Sequence, residues 1–74
     1  MPKLPVISGQ ECIRALQHGG FYISSQKGSH VKLRHANGRI VIVPNHRELD
    51  RGTLRSIISQ AGLTIEEFLE LLQD

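Results

Sequence analysis

The sequence is poor in several residue types, and each shortage excludes a class of protein. It holds one cysteine, which rules out an internal disulfide and a cysteine-based zinc site. It holds no tryptophan and three other aromatic residues, which is few for a surface that stacks single-stranded bases. Its longest apolar run, Ile40 to Val43, is far shorter than the roughly 20 residues that cross a bilayer, so no membrane partner is expected.

The length of 74 residues allows one domain, spanning 1–74, with a loosely ordered segment at 1–7. At this size roughly 60 % of the unfolded surface is buried on folding, and the large dinucleotide-binding folds are excluded. Any active site must therefore lie on an exposed surface. Because a small secreted domain usually needs disulfides, and because Pro2 and Pro5 interrupt the first residues, we expect no signal peptide and a cytoplasmic protein.

Helical signals occur at both ends of the chain. Ser8 with Glu11, and Thr64 with Glu67, each fit a capping box, in which two side chains satisfy free backbone N–H groups at a helix start. The first box predicts a helix at residues 9–18. Apolar residues at helical spacing predict a further helix just before the second box. The sequence therefore predicts one helix at the beginning and two at the end.

Between these helices, polar and apolar residues alternate in three short runs, which predicts three strands. Asn37-Gly38 is the strongest hairpin signal and predicts a two-residue type I′ turn. That turn would place Leu33 opposite Ile42 and direct Ile40 toward the core with them. The order α-β-β-β-α-α predicts an α+β fold, in which the helices pack on one face of a three-stranded antiparallel sheet.

The net charge of +2 conceals an asymmetry. Residues 1–55 hold all nine Lys and Arg with three acids, a balance of +6, whereas residues 56–74 hold four acids and no base, a balance of −4. A solvated basic surface and a phosphate-binding surface account equally well for this charge. Six residues are candidates for contacts with RNA or phosphate: Lys27, Lys32, Arg34, Arg39, Arg51 and Arg55.

His30 is the candidate for chemistry. It follows the predicted turn Gly28-Ser29 and lies beside Lys32 on the polar side of a strand. A histidine exchanges protons near neutral pH. In RNA cleavage without a metal ion, it can take the proton of the 2′-hydroxyl, while Lys32 and Lys27 stabilise charge on the phosphate. From the residues alone, a surface histidine at a strand edge is the preferred interpretation.

The other histidines have structural explanations. His46, in the loop after the third strand, is a candidate auxiliary residue, with loop capping as an equal alternative. His35 is placed at the hairpin tip as a solvated residue, and His18 at a helix end that favours a cation. The spacing of the four histidines matches no standard metal motif, so no metal and no other cofactor is expected. Cys12 is interpreted as a small core residue.

The order and spacing of several short segments resemble the HicA family of bacterial toxin ribonucleases. These segments are Gly19-Gly20-Phe21, Gln26 to His30, Asn37-Gly38-Arg39, Val43 to His46, and Gly52 to Leu63. The resemblance covers about residues 8–72. It implies a fold like that of double-stranded-RNA-binding domains, which agrees with the element order predicted above.

The resemblance also implies a function. It indicates the toxin of a type II toxin–antitoxin system, an endoribonuclease (mRNA interferase) that cleaves mRNA and is blocked by a HicB antitoxin. In the family the catalytic histidine belongs to a Gly-Ser-His motif, which maps onto Gly28, Ser29 and His30, with the first two residues shaping the turn. The resemblance therefore reverses the preference stated for His30.

Two other functions stay open. The chain could be a non-catalytic module that binds double-stranded RNA by shape and phosphate contacts, through the basic sheet face with Arg51 and Arg55. It could also be an interaction domain that docks a partner through its acidic last helix.

Overall fold

The computed structural model describes residues 3–73, and its element order confirms the predicted α+β fold. The elements are α1 (Gly9–His18), β1 (Tyr22–Lys27), β2 (His30–Arg34), β3 (Ile40–Pro44), α2 (Arg51–Gln60) and α3 (Ile65–Gln73). The strands form one antiparallel sheet in the order β1-β2-β3. Within the described residues, no helix has the length and apolar character that crossing a membrane requires.

The helices begin where capping side chains are available. At α1 the Ser8 hydroxyl accepts the Glu11 N–H at 3.1 Å, and the Ser8 N–H donates to the Glu11 carboxylate at 3.0 Å. Thr64 and Glu67 form the same pair of bonds before α3, at 3.0 and 2.8 Å. The bond from the Ser8 N–H lowers the pKa of the Glu11 carboxyl. Both predicted capping boxes are therefore present, and Asp50 caps α2.

One face of the sheet carries the core. The buried residues of the sheet occupy two positions each in β2 and β3: Val31, Leu33, Val41 and Val43. The helices α1 and α2 contact β3, and α3 packs mainly against α1. Phe68 of α3 is fully buried in the same cluster. The opposite face of the sheet has no helix over it within the described residues.

The predicted register of the β2–β3 hairpin is wrong by one residue. Leu33 pairs with Val41, not with Ile42. The Gly38 N–H donates to the His35 carbonyl and the His35 N–H to the Arg39 carbonyl, which makes a three-residue loop. Only Gly38 in this loop has a positive φ, of 92°, whereas a type I′ turn needs two such residues. The loop is thus a tight turn that ends with Gly38 in the left-handed backbone conformation.

This register changes which side chains face outward. We call the side of the sheet away from the helices the open face; its side chains alternate with the buried ones along β2 and β3. Ile40 and Ile42 were expected in the core, but they lie on the open face and are 43 % and 45 % exposed. Tyr22 lies on the same face, because it pairs with Arg34 and Arg34 pairs with Ile40. The open face therefore combines apolar and basic side chains.

Residues 3–7, expected as part of a loosely ordered segment, pack against the rest of the domain, while residues 1 and 2 lie outside the described part of the chain. Leu4 and Ile7 belong to the core and are 4 % and 6 % exposed. The Leu49 N–H donates to the Ile7 carbonyl at 2.8 Å, and Arg51 Nε donates to the Leu4 carbonyl at 3.1 Å. Prolines prevent a helix here but do not prevent packing, and a thin core gains from two more aliphatic side chains.

Candidate functional site

A tight turn between β1 and β2 presents His30. Lys27 and His30 form the last pair of the ladder, so Gly28 and Ser29 alone connect the strands. Gly28 has a φ of 60°, and a positive φ at the first central position is the requirement of a type II′ turn. A Cβ on Gly28 would meet no described atom within 4 Å, so the backbone conformation, not space, requires glycine. His30 follows directly, with its side chain exposed.

Two residues that sequence reasoning did not assign hold this turn. The Gln26 amide Nε2 donates to the Gly28 carbonyl at 3.2 Å. The Asn45 N–H donates to the Ser29 carbonyl at 2.6 Å. Asn45 reaches the turn because β3 ends beside the start of β2, so the hairpin predicted from Asn37-Gly38 was the signal that could have indicated it. Gln26 lies two residues from Gly28, so its bond could have been expected from the turn itself.

Two lysines flank His30 on the open face. Lys27 is its direct cross-strand partner, and such partners have Cβ atoms roughly 4.5–5.5 Å apart. Lys32 lies two residues further along β2, on the same face and about 6.6 Å away along the strand. Two ammonium groups on an open surface can bind a phosphodiester, and the imidazole between them can take a proton from a hydroxyl beside it. The structure thus brings together three of the residues predicted from the sequence.

The predicted arginines lie farther from His30. Arg34 shares the open face, where its Nε donates to the Ser24 hydroxyl at 3.1 Å, but it is at the other end of β2, about 13 Å along the strand. Arg39 lies beyond that end, and its Nη1 donates to the Gln60 carbonyl at 3.3 Å. Arg39 therefore satisfies the last carbonyl of α2, which is a structural role.

Arg51 and Arg55 lie on α2, on the other side of the sheet from the open face. Arg51 holds the N-terminal segment through its bond to Leu4. Arg55 is exposed one turn later on the same side of the helix. Neither arginine is on a strand with His30, so the structure does not bring all six candidate cations together on one face.

Of the other histidines, His46 lies at the same end of the sheet as His30. Its N–H donates to the Pro44 carbonyl at 2.9 Å, its carbonyl accepts the Gly9 N–H at 2.8 Å, and Pro44 pairs with His30. Its side chain is exposed, so it is free for an auxiliary role.

The remaining two histidines support the fold. His35 was expected in solvent, but its ring packs edge-on against Phe21, with centroids 4.9 Å apart. His18 Nδ1 lies 3.3 Å from the Leu71 carbonyl, which joins the end of α1 to α3.

The described residues also include potential metal ligands and one cysteine. Within residues 3–73, no three His, Cys, Asp or Glu side chains come together as metal ligands do. Cys12 is fully buried in α1, and burial raises the pKa of its thiol to about 12. Since the thiolate is the nucleophilic form, Cys12 is a core residue, as its position on the apolar side of the helix indicated.

Replacing Gly28 with alanine should destabilise the protein through the turn alone. A left-handed residue with a Cβ costs about 1 kcal/mol, and nothing nearby adds a steric term. In a domain of this size we expect the thermal midpoint to fall by about 4–8 °C. Gly28→Asn should lose less, because asparagine adopts this conformation more easily. Equal melting of wild type and both variants by circular dichroism would contradict the turn assignment.

The chain matches a known family and a solved structure. Residues 9–63 match the family model described as HicA toxin of bacterial toxin–antitoxin. The fold resembles a chain from a toxin–antitoxin complex of Streptococcus pneumoniae, with 33 % sequence identity and a TM-score of 0.68, over 77 % of this chain and 98 % of that one. No match was found among curated protein sequences. The family match confirms the resemblance inferred from the ordered motifs, includes the His30 turn, and ends just before α3.

Proposed function

The chain belongs to the HicA family of bacterial toxins, and on that premise we propose that it cleaves mRNA without a metal ion, using His30 as the general base. The observation that carries this proposal is the position of His30. It is exposed at the start of β2, on a turn held by two hydrogen bonds, between Lys27 and Lys32. Family membership supports a toxin role, and the site supports the chemistry.

The chemistry needs one base and local positive charge. The His30 imidazole takes the proton of a ribose 2′-hydroxyl, and the 2′ oxygen attacks the adjacent phosphorus. The bond from phosphorus to the 5′ oxygen breaks, which leaves a 2′,3′-cyclic phosphate and a 5′-hydroxyl. Lys27 and Lys32 stabilise the charge on the non-bridging oxygens. Water or the protonated imidazolium of His46 supplies the proton that the departing 5′ oxygen needs.

The proposed partner is a HicB-type antitoxin that covers the open face. Tyr22, Ile40 and Ile42 expose apolar surface there, beside Lys32 and Arg34. Apolar side chains of this size contribute little to phosphate binding, whereas they are typical of a surface that a protein covers. A partner segment with apolar and acidic residues would complement this face and hide His30. The complex from Streptococcus pneumoniae, a solved relative, supports such an assembly.

The test is the chemistry of the products. We expect purified protein to cut single-stranded RNA in the presence of EDTA and to leave 2′,3′-cyclic phosphate and 5′-hydroxyl ends. Mass spectrometry of the fragments identifies these ends. Loss of cleavage with EDTA, restored by magnesium, would contradict the metal-free mechanism. RNA binding without any products would instead favour the non-catalytic RNA-binding module.

A further inference from the structure

We propose that a groove between α1 and β1, separate from the open face, binds one unpaired nucleobase next to the cleaved phosphodiester and so sets the RNA sequence preference. This inference rests on the proposed function, because it assigns the substrate's base to a second surface. The groove has a volume of about 630 Å³ counted out to open solvent. Two of the residues that line it, Gln26 and Asn45, bond to the turn that presents His30.

Side chains that end in an amide group form the walls of the groove. Gln10 and Gln17 line it from α1, Gln26 from β1, and Asn45 from the loop after β3. Each amide offers donors and an acceptor, and all four residues are exposed. Asparagine and glutamine pair with base edges, and adenine presents them with a donor beside an acceptor. The walls therefore have the hydrogen-bonding chemistry of a base-reading surface.

The floor of the groove is apolar. Ile13 and Val31 are buried beneath it, and Ile23 lies across from α1. Ile23 pairs with Leu33 and so faces the helix side of the sheet, yet it is 49 % exposed because β1 is the edge strand. An aliphatic surface between amide walls suits the flat face of a base, which is apolar, with its polar atoms at the edge.

The groove and the His30 turn share residues. Gln26 lines the groove and donates to the Gly28 carbonyl, and Asn45 lines it and donates to the Ser29 carbonyl. A nucleotide in the groove would thus lie against the same two residues that fix the turn. The turn that Gln26 and Asn45 hold therefore connects the groove, on the helix side of the sheet, with His30 on the open face.

The composition of the groove favours a base over other ligands. Arg14 is the single charged residue among the described residues that line it, whereas a phosphate site would collect several cations. A docking groove for a protein helix would be lined by large apolar side chains, and here five of the eight lining residues are polar. One cation, four amides and an aliphatic floor fit one nucleoside.

The experiment is a titration with the four nucleoside 5′-monophosphates, followed through side-chain NH₂ resonances in ¹⁵N NMR. We expect the signals of Gln10 and Gln17 to shift, with one base producing larger shifts than the other three. Gln17→Ala should raise the Kd for that nucleotide at least about 5-fold, the effect of losing one good base contact. Gln60→Ala is the matched control, an exposed helical glutamine that does not line the groove, and it should leave the Kd unchanged.

Two results would overturn the proposal. Shifts that are no larger at Gln10 and Gln17 than at Gln60 would show that the groove does not bind nucleotides. Equal shifts with inorganic phosphate would show an anion site without base recognition. Since mononucleotides are not cleaved, this readout does not depend on the nuclease activity. Sequencing of cleavage ends from a randomised RNA then tests the link: Gln17→Ala should relax the base preference at one position, whereas Gln60→Ala should keep it.

Discussion

Replacing His30 with alanine is expected to lower the rate of RNA cleavage by about 10²- to 10⁴-fold, the contribution of one positioned general base. The protein should remain folded, because the His30 side chain is exposed and the turn is held by Gln26 and Asn45. Single-turnover cleavage of a labelled RNA measures the rate. Growth after induced expression gives the cellular counterpart, and we expect arrest with wild type and normal growth with the variant.

His18→Gln is the matched control for this prediction. His18 lies at the opposite end of α1 from the His30 turn, and its contact is with the Leu71 carbonyl. The control should cleave RNA at the wild-type rate. Circular dichroism must show that His30→Ala melts within a few degrees of wild type. A folded His30→Ala protein that cleaves RNA and stops growth as wild type does would refute the proposed mechanism.

The cluster around His30 could be predicted from the sequence because it depends on local geometry. Strand alternation places His30 and Lys32 on one face, and a two-residue turn makes Lys27 the partner of His30. Neither inference needs the rest of the chain. The preference for a catalytic His30 over a plain surface histidine came from the family motif, not from physical reasoning, since an exposed histidine between lysines is also common without catalysis.

The apolar side chains of the open face could not be predicted, because one turn determines which side they occupy. Asn37-Gly38 is compatible with a two-residue loop and with the three-residue loop that forms. A shift of one residue moves a whole apolar set to the other side of the sheet. Here it brought Val41 into the core and left Ile42 outside. The proposed antitoxin surface exists because of this register.

Long-range contacts explain the remaining differences between the roles predicted from the sequence and those seen in the structure. Arg39 and Arg51 counted as free cations in the sequence, but each bonds a backbone carbonyl far away in the chain, of Gln60 and Leu4 respectively. Charge counting cannot distinguish an arginine that satisfies the fold from one that is free to bind phosphate. The bridge between Ile7 and Leu49 was missed for a related reason: the two residues are distant in sequence, and no local pattern predicts their pairing.

Outside the matched region, α3 completes the core, and Phe68→Ala is expected to have the largest effect on stability. Phe68 is fully buried, and truncating such a phenylalanine costs about 3–5 kcal/mol. A domain of 74 residues has a total stability of about 4–11 kcal/mol. The substitution should therefore remove much of that stability and shift the midpoint of urea unfolding strongly downward, or unfold the protein outright.

Two control variants of α3 test whether the effect of Phe68→Ala comes from lost packing in the core. Phe68→Leu keeps an apolar side chain of substantial volume and should lose much less stability than Phe68→Ala. Glu70→Ala, at an exposed position of the same helix, should leave the urea midpoint nearly unchanged. If Phe68→Ala kept the wild-type midpoint, α3 would be an appendage and not part of the core. The helix α3 packs on α1, and α1 holds the His46 loop through Gly9, so Phe68 affects the site only by keeping the protein folded. Loss of Phe68 should therefore lower cleavage in proportion to the folded fraction. Loss of His30 should lower cleavage in a protein that stays folded.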